Sequence, residues 1–369
     1  MDAKLDRYAR QMLLAGVGET GQQRLLSSHA LIVGCGALGT VAAESLARAG
    51  VGCLTIVDRD VVEASNLQRQ TLFDDDDARA GRAKADAAAS RLKRINPGVR
   101  VIPRVLDFTP TAARAILTLA PDAPPVGVVL DCTDNFEARY LVNDLSVSSR
   151  VPSVYAGAVG VEGMSRAVLP TGSRAWDERL STPCLRCVFD QPPTPGTSPT
   201  CDSVGVLGPA AGIAALLQAG EALKILLGAF DKVRRGLVAF DLWDGPVRVL
   251  NVGDSPDPTC ACCGKREFDW LSGTAPPAAA RLCGRNAVQI AYLDEDDAPR
   301  PVDLDRLGRT LTAHGEVLAS GSLVRCVLRN ERDDEGGAVE LTVFADGRSI
   351  VKGTQDTARA RAIVSRLVG

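Results

Sequence analysis

Leu31-Ile32-Val33-Gly34-Cys35-Gly36-Ala37-Leu38-Gly39 is an apolar run that meets three glycines at the spacing Gly-x-Gly-x-x-Gly. It reads as a strand turning into a helix. The missing side chains let backbone approach a phosphate closely, and the helix start that follows supplies free N–H groups and a favourable dipole. Alone, the same turn also serves plain strand-to-helix packing. Asp58 shifts the balance toward a nucleotide: it closes the next apolar run, Cys53 to Asp58, where a carboxylate can accept both hydroxyls of a ribose.

Working outward, the helical pattern over Ala37 to Ala49 sits between these two strands, which gives the β-α-β order of a parallel sheet. Residues 7 to 28 form a polar, arginine-rich amphipathic lead-in with Tyr8, Met12, Leu13, Leu25 and Leu26 as apolar positions. A helix is expected over Gly81 to Ile95, closed by Asn96-Pro97-Gly98, and strands over Val99 to Val105 and Gly127 to Asp131. The predicted fold is α/β: a doubly wound, mostly parallel, Rossmann-like sheet. After Cys263 the composition changes, and Ser272-Gly273-Thr274-Ala275-Pro276-Pro277-Ala278-Ala279-Ala280 looks like a linker. Residues 1–271 are thus expected to form the nucleotide-binding domain and 272–369 a small α+β domain. The smaller one reads as strand, helix (303–314), strand (323–329), a strand pair around Asp346-Gly347 and helix (356–367).

With 369 residues, 46% hydrophobic and 24% charged, the chain can bury a substantial core. A formal net charge of -3 and the lack of any dense basic block argue against a nucleic-acid partner. The first residues lack the apolar core of a signal peptide, so the cytoplasm is the expected compartment. The apolar stretch Gly208 to Gly228 is interrupted by Gln218, Glu221 and Lys224, and reads as a buried or subunit-contact helix with no membrane role.

The glycine turn does not separate a dinucleotide from ATP. Asn66, Arg69 and Lys84 add an amide and two cations beyond the ribose-binding strand, as a triphosphate requires for attack at its α-phosphorus. Asp134, after the Val128-Val129-Leu130-Asp131 strand, could hold Mg²⁺ through oxygen. Each charge taken singly also suits a solvated surface. As a set they favour ATP.

Eleven cysteines include two Cys-x-x-Cys pairs, Cys184/Cys187 and Cys260/Cys263. Two such knuckles can close one four-thiolate Zn²⁺ site with no open position, hence a structural metal; a redox dithiol is the other reading. Cys262 departs from the usual spacer and could replace a neighbour as ligand. Cys35, Cys53 and Cys132 read as core packing. The two histidines, His29 and His314, stand apart from any ligand spacing, so a histidine-based mechanism has little support.

Arg7-Tyr8-Ala9-Arg10-Gln11, the Gly34 turn, Asp58-x-Asp60, Ser65-Asn66-Leu67-Gln68-Arg69-Gln70, Gly81-x-x-Lys84, Ile95-Asn96-Pro97, Asp131-Cys132-Thr133-Asp134-Asn135 and both cysteine pairs together resemble the MoeB/ThiF family. These are bacterial relatives of the ubiquitin-activating enzymes. The resemblance runs in order from about residue 5 to 265. It implies adenylation of the C-terminal glycine carboxylate of a small ubiquitin-like sulfur-carrier protein ending in Gly-Gly, with release of pyrophosphate. Asp58 would hold the ribose, Asn66, Arg69 and Lys84 the phosphates, and Asp134 the magnesium ion. Arg10 would reach the ATP of the neighbouring subunit, which implies a homodimer. Cys201 resembles the loop cysteine that, in the ThiF branch, bonds covalently to the activated carrier; in the MoeB branch adenylation does not depend on it.

Two rival functions share part of this pattern. An NAD-dependent oxidoreductase would use the glycine turn and Asp58 but leave Arg69, Lys84 and the cysteine pairs without a task. A non-catalytic scaffold for a ubiquitin-like protein would need no cations at the phosphates. Residues 272–369 carry no resemblance of their own, and their strand-rich layout suits carrier docking or dimer contact.

Overall fold

A computed structural model of the chain describes residues 5–118, 120–193, 201–275, 286–290, 301–333 and 336–368. The chain divides into two compact units. One comprises Met1–Asp60, Ala64–Asp75 and Lys84–Ala278; the other Val61–Glu63, Asp76–Ala83 and Ala279–Gly369.

The larger unit is built on an eight-stranded sheet. Its strands are β1 (His29–Val33), β2 (Cys53–Val57), β3 (Arg100–Arg104), β4 (Val128–Asp131), β5 (Ser153–Val159), β6 (Glu162–Val168), β7 (Leu237–Asp241) and β8 (Arg248–Leu250), in the spatial order β3-β2-β1-β4-β5-β6-β7-β8. Strands β1 to β5 pair in parallel, and β5 to β8 continue the sheet antiparallel. Every residue of β1, β2 and β4 is buried, as strands covered by helices on both faces require. That burial explains why these three read as unbroken apolar runs, whereas β5, β6 and β8 carry serine, glycine or arginine and, with β7, escaped the sequence reading.

Short helices α1 (Ala9–Met12) and α2 (Gly18–Leu26) precede β1, and α3 (Ala37–Ala49) joins it to β2 as expected. Gln11 and Gln22 donate to the Ala49 carbonyl, and Asn96 donates to Ala47 O (2.7 Å) and to the Tyr8 hydroxyl (2.8 Å). The Gln11 and Asn96 positions of the sequence motifs therefore donate to carbonyls at the end of α3, and the Tyr8 hydroxyl holds Asn96 in place. Helix α4 (Asp75–Arg79) was not anticipated, and α5 (Lys84–Ile95) starts three residues later than expected. The cause is local. Gly81 lies at φ +55°, and Arg82 and Ala83 pair with Val61 and Val62 before the helix begins.

Helices α6 (Pro110–Ile116), α7 (Phe136–Ser149), α8 (Leu185–Val188), α9 (Cys201–Val204), α10 (Gly208–Leu226) and α11 (Asp269–Ser272) complete the larger unit. Asn135 caps α7 by accepting from Ala138 N at 2.9 Å. Helix α10 is long and apolar enough for a membrane span, yet it packs on α3, β5 and β6, and its polar residues serve protein partners. Gln218 is fully buried and donates to Asp131 O and Val154 O, while its own oxygen accepts from the Cys132 thiol. The stretch Gln191 to Cys201, whose proline- and threonine-rich composition reads as an exposed loop, lies mostly outside the described residues, as do Cys283 and most of the expected linker.

The smaller unit has a five-stranded antiparallel sheet formed by β9 (Ala287–Ile290), β10 (Gly315–Ala319), β11 (Leu323–Arg332), β12 (Ala338–Phe344) and β13 (Ser349–Lys352), with α12 (Leu304–Leu311) and α13 (Thr357–Leu367). Leu307, Leu311, Cys326, Leu341, Val351 and Ile363 sit in its core. The expected helix 303–314 ends at Leu311, and β10, unanticipated, follows at once: a side chain at Gly315 would lie 2.0 Å from Val327 O, so only glycine permits that pairing.

Strand β4 ends on a costly group. Asp131 is buried; its Oδ1 accepts from Thr133 N (3.1 Å) and Oγ1 (2.7 Å), while Oδ2 has no partner among the described residues. Burial pushes its carboxyl up to about 6, against the opposing pull of Arg139. A folded-state value above the unfolded one gives stability that is present below the unfolded value and lost as pH rises through about 6. Asp131→Asn should therefore stabilise the protein by ~1–3 kcal/mol at pH 8 and by much less at pH 4. Urea unfolding at both pH values checks this; an equal difference at the two would contradict it.

Candidate functional site

The glycine turn is held open by two close approaches. Gly34 adopts φ +90°, and a Cβ there would lie 2.7 Å from the Cys132 carbonyl oxygen at the end of β4. A Cβ on Gly39 would lie 2.0 Å from Gly34 O, so α3 can start beside the strand only with glycine there. Gly36 differs, since a Cβ on it would meet just the Gln70 amide nitrogen, at 3.8 Å. The turn is tight toward the sheet and open on its outer side. No side chain caps the start of α3, which leaves its first N–H groups to a ligand or water.

Asp58, directly after β2, is fixed by two backbone donors: Cys35 N to Oδ2 at 2.6 Å and Asp60 N to Oδ1 at 2.7 Å. Burial raises its carboxyl, Lys84 opposes this and Asp60 adds to it. Each carboxylate oxygen keeps a further lone pair for a ligand hydroxyl. Lys84 opens α5, its ammonium is buried, and it lies 3.2 Å from Asp60 Oδ2 while its N–H bonds Asp60 O at 2.9 Å. Asp60 is thus the residue that aims Lys84; it was quoted in the sequence motif without a role.

Asn66 is buried in a short 3-10 turn, Ala64–Asn66, and the Arg69 guanidinium donates to Ser65 O at 2.8 Å. The same segment carries Gln70, which is buried beside Gly36 with its Oε1 unpartnered among the described residues. Sequence reasoning missed it; a buried amide next to a glycine turn had no marker besides its place in the motif. Asp134 is exposed just beyond β4 and contributes to the field at Arg59, whose guanidinium pairs with Asp107 at 3.1 Å. Gly34, Gly36, Asp58 and Lys84 are therefore brought together around one strand end, with Asn66, Arg69 and Asp134 on flanking segments. Arg10 is exposed on α1 and makes no hydrogen bond or ion pair among the described residues of its own chain.

The sulfurs of Cys184, Cys187, Cys260 and Cys263 all lie within 4.8 Å of one another, a group that could hold a metal ion. Neighbouring separations are 3.7 Å (Cys184–Cys260), 3.9 Å (Cys184–Cys187) and 3.3 Å (Cys187–Cys263). Cys262 falls outside this group; its buried thiol accepts from the Asn143 amide at 3.2 Å, and Asn143 Oδ1 accepts from Leu185 N at 2.8 Å. One asparagine of α7 thereby ties both knuckles together. Cys201 starts α9, half-buried, with its thiol 3.2 Å from the Ala158 carbonyl. Because β1, β4 and β5 run in parallel, Ala158 and the Gly34 turn lie at the same edge of the sheet. His29 is buried, bonded to Pro124 O and the Thr55 hydroxyl, consistent with a structural role.

The chain is similar to known proteins in sequence and in fold. The model of the ThiF family matches residues 8–262. The chain is 39% identical over 364 residues to the sulfur carrier protein ThiS adenylyltransferase of Bacillus subtilis (strain 168), covering 98% of this chain and 99% of that one. It is 38% identical to the sulfur carrier protein adenylyltransferase of Thermus thermophilus, covering 71% of this chain and 91% of that one. The crystal structure of E. coli MccB with ATP shares the fold, with a TM-score of 0.57, 21% identity and coverage of 72% and 74%. The Bacillus match takes in the C-terminal unit as well, for which the sequence motifs gave no relative. By the extent of these matches, the chain belongs to the ThiF family.

Proposed function

We propose that this chain adenylates the C-terminal glycine carboxylate of a ubiquitin-like sulfur-carrier protein ending in Gly-Gly. A carboxylate oxygen attacks the α-phosphorus of ATP, a new P–O bond forms, the bond to the bridging oxygen breaks, and pyrophosphate leaves with that electron pair. The carboxylate is already ionised near neutral pH, so no general base is required. The barrier is electrostatic: an anion must approach a polyanion.

The observation that carries this reading is the joining of the open glycine turn, the doubly anchored Asp58 carboxylate and the buried Lys84 ammonium at one strand end. A dehydrogenase would need no such buried cation. In this reading Asp58 binds the ribose, the turn and Asn66 bind phosphate oxygens, and Lys84 and Arg69 screen the triphosphate. Arg69, now on Ser65 O, would swing to the phosphates when ATP binds. Asp134 would hold Mg²⁺, which supplies further screening of phosphate charge. As the family resemblance implies, Arg10, exposed on α1, would reach the ATP of a neighbouring subunit in a homodimer. The relative that covers the whole chain is named for acting on ThiS, which supports a carrier of that kind.

The cysteine group fits Zn²⁺. Zn–S bonds of about 2.3 Å put the sulfurs of a tetrahedral site about 3.8 Å apart. The separations of 3.3 to 3.9 Å bracket that value. With four protein ligands no position stays open for water, so the metal would bind the two knuckles together and take no part in the reaction.

Incubating the protein with ATP and candidate Gly-Gly-ended carriers, followed by intact-mass spectrometry, tests the function: one carrier should gain the mass of AMP. No gain with any carrier, together with absent pyrophosphate exchange, would refute it. Arg69→Ala and Lys84→Ala should each slow adenylation by about a hundredfold or more; a near-normal rate would remove that residue from the site. Metal analysis should find about one zinc per chain, and its removal should lower the melting temperature. A metal-free protein of equal stability would contradict the zinc assignment. Cys201→Ala should spare pyrophosphate exchange and abolish any thioester or persulfide adduct with the carrier. Survival of the adduct would point to another thiol.

A further inference from the structure

Arg166 is the largest fully buried side chain among the described residues, at 1% exposure, and lies in β6. One nitrogen, Nη2, donates to the Pro183 carbonyl at 2.7 Å. The other two, Nε and Nη1, are buried with no acceptor among the described residues, and no carboxylate there pairs with the guanidinium. A buried cation left without an anion costs several kcal/mol, so this position demands a negative partner.

The surroundings name that partner. Pro183, the acceptor, is the residue before Cys184. Val168, two residues along β6 and hence on the same face as Arg166, packs in the cluster of Cys184, Cys260 and Cys262. Arg235, the nearby cation, is occupied by the carbonyls of Arg179, Ser181 and Asp254. Arg186, between the two cysteines of the first knuckle, differs from Arg166 in having carboxylates: Asp144 at 3.7 Å and Asp269 at 3.6 Å.

We infer that Arg166 is the counter-charge of the four-cysteine metal site, a positioning residue whose guanidinium balances and orients the thiolates. This rests on the metal reading given above. Four thiolates around a divalent ion leave two negative charges uncompensated, and in a mostly buried site such charge favours a fixed cation nearby. Arg166 brings two uncommitted donors, and its third bond, to the carbonyl next to Cys184, fixes the guanidinium relative to a ligand. The metal and the arginine account for each other: the thiolates need a cation and the guanidinium needs an anion.

The test measures zinc affinity of the full-length protein by competition with a chromophoric chelator. Wild type is measured first; if it binds no zinc, the metal reading itself fails. With wild type binding, Arg166→Met should weaken affinity by about tenfold or more, the range seen for residues that orient metal ligands. Arg166→Lys, which restores the charge, should return most of it. Alkylation of the zinc-bound cysteines, followed by mass spectrometry, should be faster in Arg166→Met, because thiolates that lose a balancing cation are more nucleophilic. Wild-type affinity and alkylation rate in Arg166→Met would overturn the inference while leaving the metal reading intact. If Arg166→Met fails to fold, Arg166→Gln decides by the same two measurements. Should neither neutral variant fold, folding of Arg166→Lys with zinc bound supports the charge role, and its failure would overturn it.

Discussion

The contact on which the site depends is a backbone one: the start of α3 lies so close to the end of β1 that a methyl group on Gly39 would sit 2.0 Å from Gly34 O. That approach sets the helix axis against the strand and leaves the first N–H groups of α3 uncapped beside the turn. The carbonyl of Cys132 closes on Gly34 from the neighbouring strand, so β1, α3 and β4 share one tightly packed corner. Asp58 is bound into the same corner through Cys35 N. A ligand that accepts from these amides and donates to this carboxylate meets groups already in place, which lowers the ordering needed on binding.

Around the corner the charges are paired in advance. Lys84 is held by Asp60 and favours the charged form of Asp58, against the burial of that carboxyl and the like charge of Asp60. Arg69, in contrast, donates to its own backbone at Ser65, a weak commitment that a phosphate could displace. A fixed lysine and a movable arginine suit a reaction in which charge gathers at phosphorus only as pyrophosphate departs.

Electrostatics also organise the far side of the larger unit, with different partners. Asn143 binds both knuckles through Cys262 and Leu185 N, and Asp144, the next residue, accepts from Trp270 N and faces Arg186. These contacts draw α7, α8 and α11 to the cysteines. Buried ionic groups at such a junction contribute definition of geometry more surely than net stability, because their desolvation offsets most of the attraction.

The legible part of the sequence was the part where one physical requirement dominates. Strands β1, β2 and β4 are buried on both faces and so are continuously apolar, and Gly34 and Gly39 are dictated by close approach of backbone. Strands β5, β6, β8 and β10 were not legible, because serine, glycine, glutamate or arginine breaks their apolar pattern, although β5–β6 and β10–β11 pair across short connections. The start of α5 shifted because Arg82 and Ala83 pair with Val61 and Val62, about twenty residues earlier. By itself, then, the sequence determined strands β1 to β4, the glycine turn with the carboxylate that follows β2, and the two cysteine knuckles, since spacing along the chain carries that information. Which carboxylate aims Lys84, which cysteine stands apart from the four, and which arginine faces them were decided only by tertiary structure, because charge balance in a buried site depends on distances that the order of residues does not encode.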